Sequence, residues 1–242
     1  TLSEMGEYDG TALMEKKTRK NIIYEILNDR VCTYEMDDTP PFLINQDALE
    51  IGIKLALLFQ CNIVDEAHVS RKQYLDGSIP TGFQRTTVIG TDGWVPYKDK
   101  KIGIRQINVE EDACREIKDE GHNIVFRTDR LSTPLVEVIT EPDMLNPIEA
   151  GEVTWLLAET NRISGLVRRG IGTARQDVNV SIAGGNRVEI KGVERIGFIP
   201  ALTHYEAMRQ KALLDLRDEL VNRGITIEDF AYATADVTQY LS

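Results

Sequence analysis

The run Asp129-Arg130-Leu131-Ser132-Thr133-Pro134-Leu135-Val136-Glu137-Val138-Ile139-Thr140-Glu141-Pro142-Asp143 places carboxylates at strand spacing inside a segment apolar enough to be buried. A buried carboxylate is costly unless a cation or hydrogen-bond donors compensate it. Two further acidic runs, Val109-Glu110-Glu111-Asp112 and Arg187-Val188-Glu189-Ile190-Lys191, also lie beside β-rich sequence. Several strands could therefore deliver carboxylates to one place, which is how a Mg²⁺ and phosphate site is built. Glu137 and Glu141 share a face of one strand but stand roughly 13 Å apart at about 3.3 Å per residue, so a single ion wants one carboxylate from each of several strands. Glu137, one of Glu110 or Glu111, and Asp177 or Glu189 meet that requirement.

In Arg175-Gln176-Asp177-Val178-Asn179-Val180-Ser181, polar and apolar residues alternate. Arg175, Asp177, Asn179 and Ser181 line one face, and Val178 and Val180 pack behind it. Glu189 and Lys191 share a face across the expected hairpin, and the resulting array of opposite charges suits the metal and phosphates of a nucleotide. An exposed sheet face laced with ion pairs has the same alternation. The stretch from Arg71 to Thr86 combines basic residues with a small-residue turn but has neither P-loop nor dinucleotide spacing. His68, His122 and His204 are scattered, and no nucleophile elbow points to covalent hydrolysis.

The elements that must position these groups follow from local signals. Strands are expected at Ile22–Tyr24 and Val31–Tyr34, after a helix over Ala12–Lys20. Asn45 as N-cap, Asp47 in the first turn and apolar residues at Ala48, Ile51, Leu55 and Leu58 predict a helix to about Gln60 that covers a sheet. From Ile63 to Ile107, β-branched and aromatic runs broken by Asp76-Gly77, Thr81-Gly82 and Asp92-Gly93 predict an antiparallel sheet with hairpin turns. A strand over Thr133–Thr140 ends at Glu141-Pro142, and Asn146 with Pro147 opens a helix to about Ile163. Strands over Asp177–Ile182 and Arg187–Ile190 flank Gly184-Gly185-Asn186, and a last helix runs from near Pro200 to a cap at Gly224. The fold class is α+β, an antiparallel sheet with flanking helices.

The 242 residues, 42% of them hydrophobic, suffice for a sizeable core in one large domain or two small ones. No apolar run approaches the roughly 20 residues of a membrane span, and a cytoplasmic location is the expectation. Cys32, Cys61 and Cys114 are isolated, which predicts reduced, packed thiols rather than zinc or disulfides. The net charge of −11 argues against non-specific nucleic-acid binding. Any RNA partner must have its main clamp elsewhere, and the one locally basic stretch, Arg162 through Arg168 and Arg169 to Arg175, is as well read as a solvated helix end as a phosphate contact.

Five runs taken together, Gly82-Phe83-Gln84-Arg85-Thr86, Glu110-Glu111-Asp112-Ala113, Thr133 to Val138 with Glu141-Pro142-Asp143, Arg175 to Ser181, and Val188 to Val193, resemble the B/E family of glutamyl-tRNA(Gln) amidotransferase subunits. The Gly-Phe-Gln-Arg-Thr and Thr-Asp-Arg-Leu-Ser-Thr-Pro forms resemble the archaeal E-type protein more than the bacterial B-type one. The resemblance implies a cradle-like domain that binds ATP and Mg²⁺ and receives the 3′ end of Glu-tRNA(Gln). It also implies a D-type, asparaginase-like amidase partner that supplies ammonia. On matching positions it implies Glu111, Glu137 and Glu189 as metal ligands with Asp177 next. Arg175 and Lys191 would neutralise phosphate, Asn179 would contact the nucleotide, and Glu110 and Glu141 would be supporting residues. It further leads one to expect a core domain over residues 1–224 that lacks the family's N-terminal strand, with 225–242 entering an inserted domain.

Overall fold

The computed structural model describes residues 14, 17–36, 38–229, 231 and 233–240. It is α+β, and it divides into two compact units, Thr1–Asp143 and Met144–Ser242.

The first unit is built on a five-stranded antiparallel sheet. Its strands are β2 (Asn62–Ile63), β3 (Val69–Gln73), β4 (Phe83–Tyr97), β5 (Lys100–Glu111) and β8 (Pro134–Thr140). β5 lies between β4 and β8, and β2 and β3 both pair with β4. Helix α1 (Gln46–Leu58) starts where expected, with the Asn45 side chain accepting from the Ala48 N–H at 2.9 Å. It lies on one face of the sheet, burying Leu55, Ala56 and the following Phe59 with Ile89, Ile107 and Val109. Gly52 permits the approach: a β-carbon there would stand 2.6 Å from Val109 Cγ2.

A smaller sheet in the order β1 (Asn21–Glu25), β7 (Asn123–Arg127), β6 (Arg115–Glu120) pairs β1 parallel to β7. Ile79, Cys114, Ile124, Phe126 and Leu131 form its core. The β6–β7 hairpin lies outside the sequence expectation, because all six residues of β6 are exposed and show no apolar alternation.

Two secondary-structure expectations fail in this unit. Val31–Tyr34 is not a strand: Thr33–Met36 form a turn, held by the Glu35 carboxylate accepting from the Cys32 N–H at 2.7 Å. Tyr34 is buried against Phe42 and Arg85 instead of in a ladder. Asp92-Gly93 is not a hairpin turn either. β4 runs through it and the chain reverses at Lys98-Asp99. Gly93 serves close approach, since a β-carbon there would stand 2.5 Å from the Phe59 carbonyl oxygen, and the neighbouring Trp94 N–H donates to that carbonyl at 2.9 Å. The helix expected over Ala12–Lys20 falls largely outside the described residues. Cys61 and Cys114 are buried as expected, whereas Cys32 is exposed, contrary to the expectation of a packed thiol, because it sits at the start of the Thr33–Met36 turn.

In the second unit, α2 (Pro147–Ser164) has Asn146 as N-cap, its side chain accepting from the Glu149 N–H at 3.0 Å. β9 (Gln176–Val180) and β10 (Val188–Val193) form the expected antiparallel hairpin, and α3 (Ile199–Asn222) packs on β9 and on α2. Among the described residues no helix is long and apolar enough to cross a membrane.

Candidate functional site

Register decides which carboxylates meet. Glu110 is opposite Leu135 and Thr86, and Glu137 is opposite Asn108. Glu110, Asn108, Thr86 and Glu137 therefore share the sheet face turned away from α1. Glu110 is buried, accepts from the Thr86 hydroxyl at 3.0 Å, and lies 3.4 Å from the Lys72 ammonium of β3. Asn108, also buried, donates to Glu137 at 2.8 Å and accepts from the Gln106 amide at 3.1 Å.

Burial first, and then the adjacent Glu137 carboxyl, push Glu110 above the ordinary carboxylate range against the pull of Lys72. Burial works against the Lys72 ammonium in turn, yet Glu110 and Glu137 hold its pKa above the usual lysine value. Two carboxyl groups against each other are favourable only with a shared proton or a bound cation. Mg²⁺ is commonly held by one or two carboxylates with water and substrate phosphates completing its shell, so the pair fits that ion. Among the described residues there is no cluster of three or more His, Cys, Asp or Glu side chains arranged to hold a metal.

Glu111 points the other way, as period two requires of a neighbour of Glu110. Its carboxylate accepts from Arg85 Nε at 2.8 Å and from Arg85 Nη2. Arg85 also donates from Nη1 to the Phe42 carbonyl at 2.6 Å and stacks 4.6 Å above Tyr34. Burial and then Glu111 push the Tyr34 hydroxyl up to about 12. Glu111, expected with Glu137 at a metal, is thus the counter-ion of a bracket that ties the Tyr34–Phe42 loop to β4. Glu141, expected as a supporting residue, forms a two-pronged ion pair with Arg105 at 2.9 and 2.8 Å.

The remaining expected residues belong to the second unit. Asp177, Asn179, Glu189 and Lys191 are exposed on one face of the β9–β10 hairpin, with Glu189 opposite Asn179 and 3.6 Å from the Lys191 ammonium. Asp177 accepts from the Gly192 N–H at 2.8 Å. That bond braces a bulge between Ile190 and Val193, where Gly192 takes φ +69°. Arg175 immediately precedes β9. Behind the hairpin, the buried Gln210 of α3 donates to the Val180 carbonyl at 3.0 Å and to Glu206 at 2.8 Å, and accepts from the Ile182 N–H at 3.2 Å. This holds the hairpin on its helix with the charged face outward.

Sequence reasoning misses Asn108, and it reaches Lys72 and Thr86 only as parts of a basic stretch. Polar Gln106, Asn108 and Glu110 alternating with Ile107 and Val109 is the signal that marks the face.

The molecule is thus a two-unit α+β protein in which one sheet face of the first unit carries a buried carboxyl pair with a lysine. A family model described as the GatB/GatE catalytic domain matches residues 15–240. The chain belongs to that family. It is 45% identical over 227 residues to the E subunit of the glutamyl-tRNA(Gln) amidotransferase of Saccharolobus solfataricus, a match that covers 94% of this chain and 36% of the relative. Identity to the E subunits of Pyrobaculum islandicum and Methanocaldococcus jannaschii is 43% and 42%, in each case over 239 residues and 99% of this chain. Those matches cover 39% and 38% of the relatives, so the chain spans between a third and two-fifths of the length of these curated proteins. The E-type resemblance read from the motifs agrees with these relatives.

Proposed function

We propose that this chain is the glutamate-activating part of a tRNA-dependent amidotransferase, a carbon–nitrogen ligase that converts Glu-tRNA(Gln) into Gln-tRNA(Gln) in the cytoplasm. The observation that carries the reading is the Glu110–Glu137 pair beside Lys72, on a sheet of a chain belonging to the GatB/GatE family. ATP would be a substrate: its γ-phosphoryl group passes to a side-chain carboxylate oxygen of the tRNA-bound glutamate and ADP leaves. Ammonia from a D-type, asparaginase-like amidase then attacks the acyl carbon, expels phosphate and loses a proton to give the amide.

Mg²⁺, when bound, would neutralise phosphate charge as it develops. Glu110 and Glu137 would hold it, with Glu110 in the place that the resemblance gives to Glu111 beside Glu137 and Glu189. Thr86 and Asn108 fix the two carboxylates through hydrogen bonds, so little reorganisation is needed on binding. Lys72 keeps its ammonium charged beside the pair. On the second unit, Arg175 and Lys191 offer charge to phosphates. Asp177 and Asn179 offer polar contacts, and Glu189 a carboxylate, on that unit's own exposed hairpin face.

Phosphate release from γ-labelled ATP in the presence of Mg²⁺, with and without Glu-tRNA(Gln), tests the reading. Release that requires the aminoacylated tRNA and collapses in Glu110→Gln and Glu189→Gln is expected. Release untouched by both substitutions would leave the chain as a scaffold that docks tRNA and amidase while activation happens elsewhere.

A further inference from the structure

Residues 162–175 contain Arg162, Arg168, Arg169 and Arg175 and no acidic residue, in a chain whose net charge is −11. The segment leaves the end of α2, which stops at Gly165 in the left-handed conformation (φ +71°), and crosses exposed ground to β9. Gly170 and Gly172 also take positive φ, and a β-carbon added at any of the three glycines would meet nothing within 4 Å among the described residues. The loop is open on its outer side.

Two of its cations, Arg168 and Arg169, are little engaged by the described residues. Arg168 makes no hydrogen bond or ion pair with the described residues, and Arg169 donates only to the Arg162 carbonyl, at 3.1 Å. Arg162 has a loose pair with Glu159 at 3.6 Å. The hairpin register adds Arg195 to the same end, since Val193 pairs with Gln176, directly after Arg175. At the outer part of the loop Ile171 is wholly exposed. A fully solvated isoleucine among arginines gains nothing for folding, but beside RNA it can press against a ribose or the face of an unstacked base.

We propose that this loop grips the sugar–phosphate backbone of single-stranded RNA, Arg168 and Arg169 meeting phosphates and Ile171 meeting a sugar or base. The inference rests on the reading that tRNA is the substrate, and it assigns the chain's own contact with the end of that tRNA. An acidic protein repels RNA at long range, so the strand must approach where charge is locally reversed. Guanidinium groups pair with phosphate through two donors at once, which lysine cannot do. A free nucleotide is a poorer fit, because this surface is an open loop rather than an enclosed pocket.

The test is the affinity of this chain for a fluorescent tRNA transcript between about 50 and 200 mM salt, where phosphate contacts dominate the salt response. R168A/R169A is expected to bind roughly tenfold more weakly, with a log–log salt slope shallower by about 1.4, the release from two single-strand phosphates. R168K/R169K should keep the slope, Ile171→Ser should lose affinity without changing it, and Arg217→Ala, on the exposed side of α3, should match wild type. Equal affinity and slope for wild type and R168A/R169A would overturn the loop assignment while leaving tRNA as the substrate. No binding of the transcript by wild type would overturn the loop assignment, and phosphate release from ATP that is indifferent to Glu-tRNA(Gln) would overturn the reading of tRNA as the substrate. Loop-dependent binding of anionic vesicles without binding of tRNA would reassign the patch to a membrane, and competition by ATP alone would reassign it to a nucleotide.

Discussion

Replacing Glu110 with glutamine separates the cost of the carboxyl pair from its use. Glutamine keeps the volume and the bond from Thr86, and it can donate to Glu137 where a carboxylate cannot. Two like charges in contact cost about 4 kcal/mol at the effective dielectric near a protein surface. Lys72, 3.4 Å from Glu110, offsets most of that, though its side chain is 45% exposed and the attraction is screened. About 1 kcal/mol of net cost is left at neutral pH, equivalent to about 2–4 °C in melting temperature for a chain of this length. The pKa of Glu110 is raised in the folded state, so the stability that its protonated form contributes is complete below the ordinary carboxyl value of 4.5 and is lost as pH rises through the folded value. Scanning calorimetry in a chelator should therefore find Glu110→Gln level with wild type near pH 4 and more stable near pH 7.5. Mg²⁺ at about a hundred times its dissociation constant should stabilise wild type by about 2.7 kcal/mol and leave the variant unmoved. A variant less stable than wild type at pH 7.5 in chelator, or equal stabilisation of both by Mg²⁺, would refute the reasoning.

Glu111→Gln should behave in the opposite way, costing roughly 2–4 kcal/mol by stranding the Arg85 guanidinium while the Mg²⁺ shift persists in the same calorimeter. Gly93→Ala should lower stability by about 1–3 kcal/mol through overpacking against Phe59 and Cys61, measurable by urea titration. Glu206, held down to about 2 by hydrogen bonds from Arg209 and then Gln210, contributes stability that is complete above pH 4.5 and gone once the pH has fallen through about 2. Melting curves of Glu206→Gln and wild type should differ at pH 6 and converge in strong acid.

Much of this molecule is legible along the chain because it is dictated locally. Asn45 and Asn146 cap helices through their own side chains, Pro147 fits the first turn, and alternation around Val178 and Ile190 puts Asp177, Asn179, Glu189 and Lys191 on one face. The family motifs are equally a property of residue order. What the chain alone leaves open is which of the adjacent Glu110 and Glu111 meets Glu137, because neighbours on a strand point to opposite faces and only the partner's register says which face is which. The pairing of Asn108 with Glu137 answers it, and it sends Glu111 to Arg85. Asp92-Gly93 and Val31–Tyr34 mislead for the same kind of reason. A glycine wanted for the close approach of Phe59, and a tyrosine in a turn buried under an arginine of β4, look locally like a turn and a strand. Periodicity acts between residues a few positions apart, whereas the choice of face and of partner is made by contacts between segments distant in the chain, and those exist only once the sheet has formed.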